Sequence, residues 1–364
     1  MIDLKQYGYI QTEMPTDGLI PGRVTEHRGS QYTVITERGE VTAELKGSFY
    51  HSAQARDDFP CVGDFVFIQY NDSGPSLVAE LLPRRTKFSR ADFSGHGAGF
   101  VKTVLEQVVA ANFDFVFITT SLNKDFKVSR ITRYLTQAYQ SGGQPVVILT
   151  KADLVDDCDT HVSAVQKMAP GVPVHAVSAH TGFGLDALCE YLRPGKTVVF
   201  LGMSGVGKSS LLNVLMGKSV MTVNAIREDD SRGRHTTTHR QLFMLPPLEG
   251  APSGAMVIDT PGMRELGLFG ADEGISAGFA NVEELFARCR FSDCRHETEP
   301  GCAVLSALND GSLLREQWDN YLAQKRENKF VDDKAAFMRD KQEWSKSISK
   351  FSKQLKKNGG KHHG

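Results

Sequence analysis

The sequence predicts a multidomain protein with a small N-terminal β-barrel, a central doubly wound α/β domain and a C-terminal helical region. Short alternating apolar runs separated by Gly- and Asp-rich turns fill residues 20–83, as in a small barrel or sandwich. Four near-continuous apolar runs, with helix-compatible segments between them, fill residues 112–270, as in a largely parallel sheet buried on both faces. A Cys/His cluster and a charged, helix-rich tail follow residue 276. The expected domains are 1–88, 89–275 and 276–364.

Composition narrows the class of protein. A chain of 364 residues has room for two or three domains, and 40% hydrophobic and 23% charged residues are ordinary for a soluble globular protein. No apolar run approaches the roughly eighteen residues that a membrane span needs, and the N-terminus lacks the pattern of a signal peptide. We therefore expect a cytoplasmic protein without a membrane partner. The formal net charge of −1 argues against a globally basic nucleic-acid binder but allows local basic patches.

The N-terminal strands are predicted from the runs QYTVIT, EVTAEL, DFVFIQY and SLVAELL. Their spacing favours a barrel of the oligonucleotide-binding (OB-fold) type. The same pattern also fits other small β folds, and a barrel that serves only as a packing domain.

The stretch GMSGVGKS, residues 202–209, matches the phosphate-binding loop Gly-x4-Gly-Lys-Ser/Thr, and it lies between a predicted strand (TVVF) and a predicted helix (SSLLNVLMG). Glycines let backbone amides wrap the phosphates, the helix N-terminus adds positive potential, and Lys208 neutralises the β- and γ-oxygens. We expect Ser209 to hold Mg²⁺. The predicted phosphate-loop contacts are Gly202, Met203, Ser204, Gly205, Val206, Gly207, Lys208, Ser209 and Ser210.

Two further phosphate elements follow the loop. VIDTPGM places Asp259 and Gly262 at Asp-x-x-Gly spacing after a strand, so Asp259 is expected to support Mg²⁺ through water and the Gly262 N–H to meet the γ-phosphate. Between loop and motif, RGRHTTTHR offers a threonine that orders this segment only in the triphosphate state. Thr237 is favoured, with Thr236 and Thr238 as alternatives. The segment also fits a merely flexible basic loop.

A base-recognition signature lies upstream of the phosphate loop, where the run PVVILTKAD ends. The Asp153 carboxylate can accept N1–H and the exocyclic amine of guanine, a donor pair that adenine lacks, and the Lys151 stem can lie over the base. VSAHTGFG supplies Ser178 and Ala179, which resemble an element whose backbone N–H meets guanine O6. Thr150 stands where this signature usually has Asn. We expect its lost contacts to the base and the phosphate loop to loosen nucleotide affinity while Asp153 keeps guanine selectivity.

Hydrolysis is expected to be slow without a partner. In many small GTPases a glutamine after Asp-x-x-Gly orients the attacking water, but this position is Met263, which cannot do so. His235 and His239 are candidates for positioning water, and each equally suits contact with RNA. The predicted catalytic set is Lys208, Ser209, Thr237, Asp259, Gly262 and His235.

The order of these elements is unusual. The base elements come first, then the phosphate loop, the switch threonines and Asp-x-x-Gly, whereas most GTPases place the base elements last. Loops at one edge of a doubly wound sheet can assemble a site regardless of chain order. The sequence therefore predicts a circularly permuted domain with the old termini joined near Gly195. The switch region then directly precedes the C-terminal domain, where we expect the nucleotide state to be transmitted.

The cysteine cluster CRFSDCRHETEPGC contains Cys289, Cys294, His296 and Cys302. Three thiolates and one imidazole match a closed tetrahedral Zn²⁺ site, and closed sites are structural. The alternative is a group of reduced cysteines with an incidental histidine.

The tail is predicted to form a basic amphipathic helix, with one stripe of Lys346, Lys350, Lys353 and Lys357 opposite a stripe of Ile348, Phe351 and Leu355. Such a helix suits packing on its own protein while facing phosphates. The alternative is a solvated, charged helix end.

Over nearly its whole length the chain resembles the ribosome small-subunit-dependent GTPase RsgA (YjeQ) family, through the barrel, the PRRTKFSR linker, the EQVVAANFDFVFI segment, the permuted order, GRHTTTHR and the cysteine cluster. The resemblance implies GTP hydrolysis coupled to late maturation of the small (30S) ribosomal subunit, which the barrel and zinc domain would grip at its 16S rRNA. It also implies GTP/GDP and Mg²⁺ as cofactors, one structural Zn²⁺ per chain, and a monomer. The alternatives are a GTPase acting on tRNA or the large subunit, and an RNA-binding module with a vestigial nucleotide site.

Overall fold

The computed structural model describes residues 1–10, 15–16, 18–52, 56–92, 105–123, 126–217, 240–247, 254–259 and 271–330. Its strands are β1 (Leu19–Arg28), β2 (Gln31–Thr36), β3 (Gly39–Leu45), β4 (Phe65–Gln69), β5 (Ser76–Leu81), β6 (Lys87–Asp92), β7 (Leu105–Ala111), β8 (Phe115–Ser121), β9 (Gln144–Thr150), β10 (Val174–Ala176), β11 (Thr197–Leu201), β12 (Arg240–Met244) and β13 (Met256–Asp259). Its α-helices are α1 (Gly47–Ser52), α2 (Val128–Gln140), α3 (Asp159–Met168), α4 (Lys208–Leu215), α5 (Asp272–Gly278), α6 (Ala280–Phe286) and α7 (Ala303–Asp310), followed by a helix over 315–330. Short 3₁₀ helices span Leu4–Tyr7, Arg56–Asp58, Ala152–Leu154 and Asp186–Glu190.

Strands β1 to β5 form the predicted barrel. They are hydrogen-bonded in the order β1-β2-β3-β5-β4, and β4 pairs back onto β1, which closes the cylinder. The β3–β5 pair is parallel and the other pairs are antiparallel, which is the five-stranded arrangement of the oligonucleotide-binding type. The interior is apolar because alternate strand residues point inward; Val24, Val34, Val66, Ile68 and Val78 are fully buried.

Strand β1 belongs to the barrel and also extends beyond it. Its first half, residues 19–23, pairs with β4, whereas Glu26 and His27 pair with Gln241 and Arg240 of β12. A bulge between Val24 and Glu26 marks the change of partner, as expected of a residue inserted where a strand bends. One continuous eleven-stranded sheet therefore joins the barrel to the α/β domain.

The central sheet has the strand order β10-β9-β8-β11-β13-β12. Its strands are parallel except β12, which is antiparallel to β13. The four apolar runs of the sequence are β8, β9, β11 and β13, and both faces of these strands are covered. Helices α2 and α3 pack on one face, and α4 packs on the other. The predicted doubly wound architecture is confirmed, with β11 in the middle of the sheet.

A two-stranded sheet of β6 and β7 connects the barrel to the central domain. The segment predicted as a linker therefore contains a strand. The sequence does not reveal this strand, because the alternation of its apolar residues is too short to distinguish a strand from a loop. The domain boundary expected between residues 88 and 89 falls within β6, and the one expected between 275 and 276 falls within α5.

The C-terminal helices have their own apolar core, which contains Phe279, Val282, Trp318 and Tyr321. They dock on α2 through polar contacts. Arg133 makes two hydrogen bonds of 2.6 Å to Glu327. The predicted basic helix lies outside the described residues. Within the described ranges, no helix is both long and apolar enough to cross a bilayer.

The α2–α5 contact is close because α5 carries a glycine at the crossing. The Gly274 N–H donates to Gln140 Oε1 at 2.8 Å. A Cβ at Gly274 would lie 2.3 Å from the Thr136 carbonyl oxygen, well inside contact distance. A side chain at this position would therefore force the two helices apart.

Candidate functional site

The phosphate loop connects the end of β11 to the start of α4, as the sequence predicts. Gly202 adopts φ +153°, and a Cβ there would lie 2.2 Å from the carbonyl oxygen of Thr119 on the neighbouring strand β8. Glycine is therefore required for the loop to leave the sheet at this point. The loop delivers its amides to the N-terminus of α4, where the helix dipole favours bound anions.

Lys208, the first residue of α4, folds back over this loop. Its Nζ donates to the Gly202 carbonyl at 2.6 Å and also to the Met203 carbonyl. The ammonium group thus lies above the loop that is predicted to hold phosphates, and Ser209 follows in the first turn of α4.

Asp259 ends β13 and is near Lys208. Burial raises the pKa of Asp259 to about 6, while the charge of Lys208 opposes this rise. A buried carboxylate with a raised pKa is stabilised by added positive charge. The carboxylate oxygen of Asp259 and the hydroxyl oxygen of Ser209 are the hard donors that Mg²⁺ prefers, so these residues fit that ion.

The base signature at the end of β9 is tied directly to the phosphate loop. Lys151 adopts a left-handed conformation, φ +59°, and its Nζ donates to the Gly205 carbonyl at 2.9 Å. Thr150 is 4% exposed, and its hydroxyl lies within hydrogen-bond distance of the Val206 carbonyl and, at 3.2 Å, of the Thr120 carbonyl. The expected loss of contact between Thr150 and the phosphate loop is therefore wrong, because a threonine hydroxyl also reaches the loop.

Asp153 is held by the second base element. The Ser178 hydroxyl donates to Asp153 Oδ1 at 2.5 Å and accepts from the amides of His180 and Thr181 at 3.2 and 3.1 Å. The sequence pattern did not reveal this contact, since it suggested only a backbone role for Ser178. The Ser178 amide instead donates to the Phe183 carbonyl at 2.9 Å. The Ser178 amide is thus used to close the turn, which leaves Ala179 as the predicted residue whose amide would meet guanine O6.

The predicted nucleotide residues thus meet at one edge of the sheet. The loops after β9, β10 and β11, and Asp259 at the end of β13, lie at the carboxyl ends of parallel strands, where ligands bind in such sheets. The predicted switch and catalytic residues Thr236, Thr237, Thr238, His235, His239, Gly262 and Met263 lie outside the described residues.

The Cys/His cluster is also brought together. One ligand atom from each of Cys289, Cys294, His296 and Cys302 lies within 4.8 Å of all the others. His296 Nδ1 is 3.6 Å from Cys289 Sγ and 3.4 Å from Cys302 Sγ, and the two sulfurs are 4.0 Å apart. Tetrahedral Zn²⁺ with bonds of about 2.0–2.3 Å requires ligand separations of about 3.5–3.8 Å. The donor set and its spacing therefore fit zinc.

The loop that carries these ligands is organised by a residue that sequence reasoning missed. The Glu299 carboxylate accepts the amides of Arg295, Glu297 and Thr298 at 2.9–3.0 Å. These hydrogen bonds lower the pKa of Glu299 to about 2. A glutamate between two predicted ligands is a weak signal, because surface loops are often acidic. The His296 ring stacks on Phe286, with 4.4 Å between centroids.

Comparison with known proteins extends these observations. The family model described as RsgA GTPase matches residues 81–269. The small ribosomal subunit biogenesis GTPase RsgA 2 of Listeria monocytogenes is 45% identical over 307 residues, covering 84% of this chain and 83% of that protein. The crystal structure of YjeQ from Thermotoga maritima superposes with a TM-score of 0.60 at 25% identity, covering 84% of this chain and 96% of that one. The crystal structure of YloQ, described as a circularly permuted GTPase, has the same fold, with a TM-score of 0.58 at 23% identity and coverage of 84% and 94%.

Proposed function

The chain belongs to the RsgA GTPase family, and from this premise we propose that it hydrolyses GTP to GDP and phosphate during late maturation of the small ribosomal subunit. The observation that carries the proposal is the hydrogen bond from Lys151 Nζ to the Gly205 carbonyl. This contact connects the base signature to the phosphate loop although the two lie fifty-four residues apart in the chain. It supports a single guanine-nucleotide site built in permuted order.

The residues of this site have separate roles in the proposal. Asp153, oriented by Ser178, accepts the N1–H and exocyclic amine of guanine. Lys208 leaves the loop carbonyls and neutralises the β- and γ-phosphate oxygens, which stabilises the charge that develops during transfer. Ser209, and Asp259 through water, would hold Mg²⁺, which would supply additional positive charge to the phosphate site.

The remaining catalytic roles fall on predicted residues outside the described ranges. Thr237 orders the switch segment around the γ-phosphate, the Gly262 amide contacts that phosphate, and His235 positions the attacking water. Because Met263 cannot orient water, turnover is slow until the ribosomal partner completes the site. A partner that completes such a site raises turnover by several orders of magnitude in other GTPases.

The zinc centre is proposed as a structural site. Cys289, Cys294, His296 and Cys302 hold one Zn²⁺ per chain, and because all four positions are protein ligands, no coordination site is left for a substrate. Its role is to fix the loop between α6 and α7, which is too short to form a core of its own.

The proposed partner is the small ribosomal subunit, contacted at its 16S rRNA by the barrel, the switch segment and the basic tail. We infer that the protein acts in the cytoplasm, because ribosomal subunits are assembled there in bacteria. We also infer that it acts as a monomer. The basic segments RGRHTTTHR and KFSKQLKK favour RNA but do not specify which RNA. A GTPase acting on the large subunit or tRNA is therefore the alternative.

Turnover assays with separated ribosomal subunits test the function. Purified protein should hydrolyse GTP slowly, and small subunits should raise the rate at least about tenfold, whereas large subunits and tRNA should not. His235→Ala should remove this stimulation while leaving the dissociation constant for GDP unchanged. His239→Ala tests the other candidate in the same segment and should keep the stimulation; the reverse result would assign the role to His239. Equal rates with and without small subunits would refute the proposal. Stimulation by large subunits or tRNA would favour the alternative.

A further inference from the structure

We propose that Thr150 leaves guanine N7 without a hydrogen-bond donor, so that this site recognises the base through its six-membered ring and tolerates replacement of N7. The inference rests on the proposed guanine site and identifies which atoms of the base that site distinguishes. Thr150 is then a specificity-determining residue because of the contact it does not provide.

The orientation of the base follows from the two ends of the site. Asp153 takes the N1 and exocyclic-amine edge, and the phosphate loop takes the phosphates, which are joined through the ribose to N9. The five-membered ring that carries N9 and N7 must therefore face the loop. Thr150 lies on that side, since its hydroxyl contacts Val206 and a Cβ built on Gly207 would be 3.4 Å from the hydroxyl oxygen.

The number of hydrogen-bond donors on the Thr150 side chain decides whether it can bind guanine N7. A threonine hydroxyl has one hydrogen to donate. Both of its near partners, the Val206 carbonyl and the Thr120 carbonyl, are acceptors, so that hydrogen is used inside the protein. Guanine N7 is also only an acceptor, and two acceptors cannot bond each other. An asparagine amide has two N–H donors and can serve a loop carbonyl and N7 together.

Two backbone amides next to the predicted base site are engaged elsewhere. The Ala152 amide donates to the Val177 carbonyl at 3.1 Å, and the Ser178 amide closes the turn with Phe183. The Lys151 ammonium lies on the Gly205 carbonyl, which places its stem across the face of the base rather than along its edge. The Ala179 amide lies next to Ser178 and Asp153, on the side of the six-membered ring.

The inference predicts how the protein responds to single-atom changes in the ligand. In 7-deaza-GDP a C–H replaces N7, and in inosine diphosphate the exocyclic amine is absent. Wild-type protein should bind GDP and 7-deaza-GDP within about twofold, because no hydrogen bond is lost. It should bind inosine diphosphate about tenfold more weakly, because one hydrogen bond to a charged carboxylate is lost.

Substitution of Thr150 should create the missing discrimination. Thr150→Asn should bind GDP about fivefold more tightly than 7-deaza-GDP, the value of one neutral hydrogen bond. Thr150→Val has the same shape without the hydroxyl and is the matched control. It should lose affinity for both nucleotides equally, since only the bond to the loop is removed. Isothermal titration of each variant with the three diphosphates gives the ratios directly.

Three outcomes would contradict the inference in different ways. A wild-type preference for GDP over 7-deaza-GDP of fivefold or more would show that another donor reads N7. A ratio near one in Thr150→Asn would show that position 150 does not face N7. If the wild type bound inosine diphosphate as well as GDP, or bound no guanine nucleotide, the proposed function itself would fail with it.

Discussion

Replacing Arg23 by methionine is expected to lower the free energy of unfolding by about 3 kcal/mol, because this buried side chain joins the barrel to the central domain. Arg23 is fully buried in β1. Its guanidinium donates to the carbonyls of Tyr7 at 2.7 Å, Gly63 at 3.1 Å and Asn112 at 2.8 Å, and to the Thr197 hydroxyl at 2.9 Å. These four partners come from four separate segments of the chain.

The magnitude follows from which acceptors lose their donor. The Gly63 carbonyl keeps a second donor, Asn112 Nδ2 at 3.3 Å. The carbonyls of Tyr7 and Asn112 have no second donor among the described residues, which costs about 2–6 kcal/mol for two unsatisfied groups. Removing a buried charge returns part of this cost, since no ion pair to Arg23 is present among the described residues. Burial lowers the pKa of Arg23 to about 9, so the side chain remains charged at neutral pH. Methionine fills a similar length of apolar space, which leaves a net loss of about 3 kcal/mol.

Urea unfolding followed by far-ultraviolet circular dichroism measures this loss as the difference between variant and wild type. Arg28→Met is the matched control on the same strand. The Arg28 side chain is 63% exposed and, among the described residues, forms an ion pair with Glu26 alone, so its loss should cost less than about 1 kcal/mol. If Arg23→Met were no more destabilising than Arg28→Met, the argument that Arg23 joins the two domains would be wrong.

Two further predictions concern the C-terminal region. Cys294→Ser should release the one Zn²⁺ per chain proposed for the wild-type protein, measured by mass spectrometry of the metal after dialysis. Cys158→Ser, at a cysteine that is not one of the four candidate ligands, should keep it. Unchanged metal content in Cys294→Ser would exclude the zinc assignment. Gly274→Ala should destabilise the protein by about 1–3 kcal/mol in thermal unfolding, because its Cβ meets the Thr136 carbonyl at 2.3 Å. Gly47→Ala, where a Cβ meets nothing within 4 Å, should be within about 0.5 kcal/mol of wild type; equal effects of the two substitutions would contradict the close α2–α5 contact.

The parts of the fold that the sequence predicts are those with a strong local signal. The four strands of the central sheet can be recognised in the sequence because a strand that is buried on both faces is a continuous apolar run, without alternating polar residues. The phosphate loop and the four candidate zinc ligands can be recognised in the sequence because their spacing is set by the geometry of the group they would bind. Both groups are found where the sequence places them.

Features that depend on distant contacts were not predictable. Strand β1 contains Pro21, Gly22 and Arg23, a composition that argues against a buried strand, and its pairing with β12 joins segments more than two hundred residues apart. The Ser178–Asp153 hydrogen bond requires the tertiary fold to bring two loops together. The Thr150 contact to the phosphate loop depends on the rotamer and reach of the side chain, which the residue type alone does not give.

The continuous sheet limits how far the barrel can be treated as an independent module. Strand β12 is flanked by β13 on one side and by β1 on the other. Removing residues 1–88 would therefore leave β12 as an uncovered edge, with Arg240 and Gln241 losing their backbone partners and becoming available to pair with another chain. The barrel thus protects the nucleotide domain from edge-to-edge association, and fragments or fusions that omit it should be judged as aggregation hazards rather than as minimal GTPases.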